Sequence, residues 1–313
     1  MRNFAILSKW HVHAKDYAKQ INQLPGCRVS KVWDERDDVA AAWAEELQCE
    51  AADVENILND PEIEGVIICA ATNEHGPLLK RACRAGKAVF TEKLLTLSIK
   101  EAEEVKAEVE KYGTRFAISF PHYSEPATQF ALAAARSGKL GKLNYARVRK
   151  AHNGSLADWL PPHFYDPVAC GGGAMIDLGA HPMYLLCAFL GEPLSVQSTF
   201  TYVTNRAVED NAVSVLSFEG GAIGVSETGF VSVGYPFTVE LGGTLGTLQV
   251  RGKQEVNWCC AETENQWCKV ENLPEELPSP LQRWATGEDI PKEYDIDAAV
   301  QLTRVMEMAY AGR

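Results

Sequence analysis

The stretch Phe4-Ala5-Ile6-Leu7-Ser8-Lys9-Trp10-His11-Val12-His13-Ala14-Lys15-Asp16-Tyr17-Ala18-Lys19-Gln20-Ile21 opens the chain. Its four consecutive apolar residues, Phe4 to Leu7, fit a buried strand, and the segment from Lys15 to Ile21 fits a helix. A strand, a tight turn and a helix in this order begin a mononucleotide-binding unit. Such a unit normally carries G-x-G-x-x-G at the turn, whereas residues 4–21 contain no glycine. The fold assignment therefore rests on the pattern of the remaining chain.

Further short apolar runs stand at 29–33, 66–70, 88–90 and 116–120, with helical stretches between them. Strands alternating with helices imply right-handed crossovers and a parallel sheet. One helix is marked in detail. Ser98 and Glu101 form a capping box, Ala102, Val105, Val109 and Tyr112 recur at helical spacing, and Gly113 stops the run. Beyond residue 120 the pattern changes. A helix is expected over 125–137, a strand over 143–150, an irregular Pro-bearing stretch over 153–170, and one continuous helix over 173–190. Runs at 213–218, 222–228, 237–241 and 247–250, joined by Gly turns, predict antiparallel strands. The segment 296–311 is helical again. The expected architecture is an α/β Rossmann-type parallel-sheet domain, residues 1–120. An α+β domain with a large, mainly antiparallel open sheet, residues 121–313, comes after it, and the C-terminal helix returns to the first domain.

At 313 residues, with 46% hydrophobic and 23% charged residues, the chain has the profile of a globular protein. A formal net charge of −12 argues against nucleic acid or an anionic membrane as partner. No apolar run approaches the roughly 18 residues of a membrane span, and the first residues lack the marks of a secretion signal. Nine cysteines, an odd number with no C-x-x-C, read as free thiols in a reducing compartment, the cytoplasm.

Several residues carry chemistry. Asp34 ends the second expected strand, 26 residues after Ser8, where an acidic side chain hydrogen-bonds the adenosine ribose and disfavours a 2′-phosphate. Asp34 serves equally well as a helix N-cap. NAD is the expected cofactor, and Arg36 keeps NADP open. Ala71, Thr72, Asn73 and His75 come after the third main strand, and Glu92 and Lys93 after the fourth, at the strand ends where open α/β sheets bind ligands. Lys93 also reads as an exposed strand-end lysine. Asp177 and His181 are four residues apart, so one helical face would carry a carboxylate beside an imidazole, a pair suited to proton transfer or to a plain surface contact. These two, like His11 and His13, are metal-ligand types. No third ligand stands at a convincing spacing, so no metal is expected.

Taken together, these segments resemble the glucose–fructose oxidoreductase/inositol dehydrogenase (Gfo/Idh/MocA) family along nearly the whole chain. Glu92-Lys93-Leu94 resembles its E-K-P motif, with leucine for proline. Gly172-Gly173-Ala174-Met175-Ile176-Asp177-Leu178-Gly179-Ala180-His181 resembles G-G-x-x-x-D-x-G-x-H. Thr72-Asn73-Glu74-His75-Gly76-Pro77 resembles T-P-N-x-x-H-x-P without the first proline, and Ser137-Gly138-Lys139-Leu140-Gly141-Lys142 resembles S-G-x-L-G-x. Tyr184 stands where many relatives have aspartate, and Pro182 is expected to kink its helix and free the Leu178 carbonyl.

The resemblance implies an NAD(P)-dependent oxidoreductase acting on a polyol, sugar or related hydroxy compound, with Lys93, Asp177 and His181 converging at the nicotinamide. A silent ligand sensor and an NAD-dependent glycosidase are the competing functions. At the glycine-free turn the expectation is that Ser8, Lys9, Trp10 and His11 hold the cofactor, with the charge of Lys9 and the α-helix N-terminus replacing glycine amides. Tyr123 and the loop with His152, Trp159 and Tyr165 are expected to face the small-molecule substrate. A homo-oligomer, dimer or tetramer, is expected through the second-domain sheet.

Overall fold

Short apolar runs alternating with helical segments give the parallel sheet their pattern calls for. A computed structural model describes residues 1–311 and divides into two units. The first comprises Met1–Phe120 with Pro278–Thr303, the second Pro121–Leu277 with the segment from Arg304.

In the first unit six strands, β1 (Arg2–Leu7), β2 (Cys27–Trp33), β3 (Glu50–Ala51), β4 (Ile63–Ile68), β5 (Ala88–Thr91) and β6 (Phe116–Ile118), form one sheet in the order β3-β2-β1-β4-β5-β6. Every pair is parallel. This is the doubly wound order, and its switch point lies between β1 and β4, where the crevice for a ligand opens at the strands' carboxyl ends. The connecting helices are α1 (Ala14–Gln23), α2 (Asp37–Leu47), α3 (Val54–Asn59), α4 (Thr72–Arg84) and α5 (Ile99–Tyr112). The Ser98 side chain caps α5 by accepting from the Glu101 amide, and Gly113 closes it in the left-handed conformation. Tyr112 is the exception in the expected apolar stripe: it is exposed, because the stripe ends at Val109.

The second unit holds α6 (Pro126–Arg136), β7 (Leu143–Ala151), α7 (Pro167–Cys170), α8 (Ala174–Asp177), α9 (Ala180–Leu190), β8 (Pro193–Thr201), β9 (Asn211–Phe218), β10 (Ile223–Gly229), β11 (Thr238–Gly243), β12 (Gly246–Arg251), β13 (Glu255–Cys260) and β14 (Cys268–Lys269). Its eight strands order as β14-β13-β12-β11-β7-β10-β9-β8, antiparallel throughout except for β7 beside β10. Helix α9 covers β7 and β10. The opposite face carries exposed Tyr145, Val213, Val215 and Ile223.

The single helix expected over 173–190 is two helices. Gly179 lies at the break because a β-carbon there would meet the Met175 carbonyl. Its amide donates to Ala174 O, and α9 starts afresh at Ala180. Pro182 thereby falls in the first turn, where a missing N–H costs nothing. No kink arises there, and Leu178 O accepts from the His181 amide at 3.1 Å. All nine cysteines are free. Among the described residues no single helix is long and apolar enough to cross a membrane.

The remaining helices are α10 (Pro280–Thr286) and α11 (Ile296–Tyr310). From α10, Trp284 enters the first unit's core, 5.0 Å from the Phe4 ring and 5.9 Å from Phe90. Its indole N–H donates to Arg115 O, and the Arg115 guanidinium donates to the Trp284 carbonyl. Gly65 on β4 makes room, since a β-carbon would stand 2.7 Å from the indole and 2.9 Å from Ala88 O. Trp284→Ala is therefore expected to destabilise the first unit by about 3–5 kcal/mol, the range for truncating a buried large aromatic residue. Urea unfolding measures this, and a loss well below that range would show that α10 is not part of the core.

Candidate active site

The β1–α1 turn folds without glycine by satisfying itself. Ser8 takes φ 73°, the left-handed region that glycine usually supplies. Its amide donates to Trp33 O and its hydroxyl to Glu35 Oε2 at 2.6 Å. The Lys9 amide donates to Asp34 Oδ2 at 2.8 Å, the Trp10 amide to Ser8 Oγ, the His11 amide to Cys69 O, and the His13 amide to His11 Nδ1. The backbone donors that a glycine-rich turn offers to phosphate are here largely engaged inside the protein.

Among the side chains of the turn, Asp34 is buried and holds the Lys9 and Arg36 amides, so it braces two chain segments and caps no helix. Helix α2 begins instead after Arg36, whose guanidinium pairs with Asp38 at 2.6 Å. The charge of Lys9, expected to face phosphate, points elsewhere: its ammonium lies 3.1 Å from Glu46 and 5.2 Å from the Trp43 ring centroid. The reason is its surroundings in the fold: this lysine lies beside α2 and meets a carboxylate and an aromatic face there. Glu35, next to Asp34, faces the same turn. Burial raises its carboxyl above the ordinary value, against the hydrogen bond from Ser8.

At the end of β5, Glu92 and Lys93 are buried. Glu92 accepts from the Tyr17 hydroxyl, lies 3.4 Å from His11 Nδ1, and takes the Lys93 amide on its second oxygen. Ser119 Oγ also meets Tyr17 Oη, at 2.8 Å. Burial pushes the His11 imidazole down to about 3, so it is neutral at pH 7. Burial would raise Glu92 too, yet it is held below the usual carboxylate range. The neighbouring His11 and Lys93, then His13 and the hydrogen bond from Tyr17, account for that. The Lys93–Leu94 peptide is cis. His75 spans Leu94 O and Ala70 O, tying the start of α4 to this segment. Ala71 is the N-cap of α4 and Thr72 its first residue.

In the second unit, the Gly-rich segment is organised by Glu209, which is fully buried. Its carboxylate accepts from the Gly173 and Met175 amides and from the Tyr310 hydroxyl. A β-carbon at Gly173 would meet the Glu209 carbonyl, and one at Gly172 the Tyr310 hydroxyl, so the glycines permit this close approach. Asp177 ends α8 and His181 lies in the first turn of α9, so they do not share one continuous helical face. His181 is buried, with Nδ1 3.4 Å from Tyr184 Oη. That same hydroxyl accepts the His122 amide, and Tyr123 Oη donates to Tyr184 O. His152 stacks on Phe230 and contacts Trp159, which is half-exposed; Tyr165 meets Ser155 and the Arg206 guanidinium.

Glu35, Tyr17, Ser119, His122, Glu125 and Glu209 join the site residues that sequence patterns suggest. Their partners are mostly far along the chain, which leaves no local signal. The exception is His122-x-x-Glu125, a spacing that invites inspection. His11, His13 and Glu92 bring their ligand atoms within 4.8 Å of one another, a set able to hold a metal ion, although Glu92 already takes Tyr17 and the Lys93 amide.

The residues present fit a dinucleotide. No side chain caps α1 or α4 at their N-termini, where positive dipole ends favour phosphate. Asn73 Oδ1 in the first turn of α4 is buried without a hydrogen-bond partner, an acceptor that a ligand hydroxyl or amide would satisfy.

Comparison with known proteins accords with this geometry. The sequence profile described as an oxidoreductase family with an NAD-binding Rossmann fold, GFO/IDH/MocA, matches residues 10–120, and the GFO/IDH/MocA C-terminal domain matches residues 128–249. The chain is 29% identical over 247 residues to the scyllo-inositol 2-dehydrogenase (NAD(+)) of Bacillus subtilis (strain 168), covering 76% of this chain and 69% of that protein. In fold it is similar to levoglucosan dehydrogenase in complex with NADH and levoglucosan, with a TM-score of 0.84 at 18% identity over 99% of this chain and 96% of that one. It is likewise similar to the aldose-aldose oxidoreductase of Caulobacter crescentus complexed with glycerol, TM-score 0.83 at 18% identity over 100% and 98% of the two chains. With one profile on each half and the doubly wound sheet under the first, the chain belongs to the GFO/IDH/MocA family of oxidoreductases and carries its NAD-binding Rossmann domain.

Proposed function

We propose that this oxidoreductase transfers a hydride between NAD(H) and the secondary alcohol or carbonyl carbon of a polyol, sugar or related small molecule. The observation that carries it is the buried Glu92–Lys93 pair at the carboxyl end of β5, supported by the inositol, levoglucosan and aldose specificities in the names of similar proteins. Bound nicotinamide supplies the hydride chemistry. Lys93 donates a hydrogen bond to the substrate oxygen and stabilises the charge that develops on it as an alkoxide. His181 accepts the hydroxyl proton as a general base, and returns it in the reverse direction. Asp177 orients His181 or binds a neighbouring hydroxyl. Tyr123, His152, Trp159 and Tyr165 are proposed to face the substrate.

For cofactor choice, two carboxylates, Asp34 and Glu35, stand after β2, and the nearby cation Arg36 is paired with Asp38. A 2′-phosphate would meet negative charge with no free partner from that arginine. The exposed apolar face of the second sheet supports a dimer or tetramer built on it, and nine free cysteines support work in a reducing cytoplasm.

NADH is expected to bind more tightly than NADPH when the two are titrated by nicotinamide fluorescence. Tighter NADPH binding would show that Arg36 leaves Asp38 for the phosphate.

Turnover is tested with scyllo-inositol, myo-inositol, levoglucosan and D-glucose as a panel. On the substrate that responds, Lys93→Met and His181→Ala are each expected to lower single-turnover rates by about 10² to 10⁴, the usual contribution of a positioned acid or base. NADH affinity should stay within several-fold of wild type. Near-wild-type rates in either variant would remove that residue from the mechanism.

A further inference from the structure

A second imidazole lies against His181. His122 sits in the short 3₁₀ turn Pro121–Ser124 just before α6, and it is buried, as is Glu125 at the N-cap of that helix. His122 Nδ1 is 2.7 Å from Glu125 Oε2. The other carboxylate oxygen of Glu125 lies 3.3 Å from the ammonium of Lys253, whose side chain is 62% exposed. The His122 ring is stacked on Phe237, 4.2 Å between centroids at 6°, and stands edge-on to His181, 4.9 Å at 87°. Its backbone amide holds the Tyr184 hydroxyl that meets His181 Nδ1. Its Nε2 is buried with no hydrogen-bond partner.

Burying a charged carboxylate and an imidazole whose second nitrogen goes unmatched costs stability, on the order of 1–3 kcal/mol for one unsatisfied group. An apolar pair would fill the same volume without that cost. We propose that the His122–Glu125 pair, together with Tyr184, is a positioning device for His181, holding its ring in place and setting its proton affinity. The proposal rests on His181 as the base of the reaction.

The Glu125 carboxylate accepts from Nδ1–H of His122, which fixes that tautomer and leaves Nε2 as the basic nitrogen. Burial pushes the His122 imidazole down, so the ring is neutral at pH 7. Glu125 is buried as well, yet the hydrogen bond from His122 and the charge of Lys253 keep it below the usual carboxylate range, and it stays anionic. The neutral His122 ring therefore separates His181 from a buried anion. The charged and titratable groups around this pair are Lys253 on the Glu125 side with Glu276 4.0 Å from its ammonium, Lys150 near His122 and Phe237, and Tyr184 and His181 itself. A negative charge behind His181 favours its imidazolium form, and the positive charge of Lys253 opposes it.

The test uses the full chain with ring-labelled histidine and heteronuclear NMR, which resolves each of the seven imidazoles separately, with His181→Gln for assignment. In Glu125→Gln the titration midpoint of His181 is expected to fall by on the order of half a pH unit or more, since a buried charge acts through a low dielectric. Lys253→Ala, at a side chain that is mostly exposed, is expected to move it upward. On a polyol that wild type turns over, Glu125→Gln should lower kcat with little change in KM, and Glu125→Asp should recover most of the loss. A His181 midpoint that moves in neither variant would overturn the proposal and leave the pair as a core hydrogen bond. If no polyol is turned over by wild type, the proposed reaction fails while the NMR titration still decides the role of the pair.

Discussion

A buried carboxylate must be given partners, because an isolated one is driven to take up a proton or to leave the interior. Glu92 is that constraint in the first unit. Tyr17 from α1, His11 from the turn before it and the Lys93 amide from its own strand end all converge on it. The consequence is spatial. A helix and a strand end whose contacting residues are 75 apart in the chain, together with the turn before that helix, are drawn to one point beside the lysine. Removing the carboxylate would leave the Tyr17 hydroxyl with Ser119 as its remaining partner and loosen the segment that presents Lys93.

Glu209 solves the same problem in the second unit by different means. Its partners are two backbone amides of the Gly-rich segment and the Tyr310 hydroxyl. Here the carboxylate fixes mainly backbone, with one tyrosine hydroxyl beside it. The two glycines then have a physical reason: they let the backbone come close enough to donate. A motif that reads as G-G-x-x-x-D-x-G-x-H is thus two close approaches, one break at Gly179, and one histidine delivered into the first turn of a new helix.

How much of the fold is legible in the sequence depends on how local each cause is. The alternation of strand and helix, the Ser98 cap of α5 and its Gly113 stop are set by neighbours a few residues away, and periodicity reports them. The two-residue strand β3 is too short to leave a period. The break between α8 and α9 is hidden because apolar residues continue across it, and only the clash at Gly179 reveals it. The destination of Lys9 depends on Glu46, a partner 37 residues on, and no spacing rule reaches that far. His122 and Glu125 are three apart and open to inspection, but their contact with His181 comes from the fold.

The left-handed Ser8 carries a consequence of its own. A glycine turn is supple in the absence of cofactor and gains order when its amides close on phosphate. A turn pinned by Glu35, Asp34, Trp33 and Cys69 has little disorder to lose and few donors to offer. Cofactor association here would be calorimetrically quiet, with a smaller exothermic heat than a glycine loop gives and a smaller entropic penalty beside it. Affinity could then stay ordinary while its temperature dependence does not, and warming would loosen the complex less than it loosens one held by a glycine-rich loop.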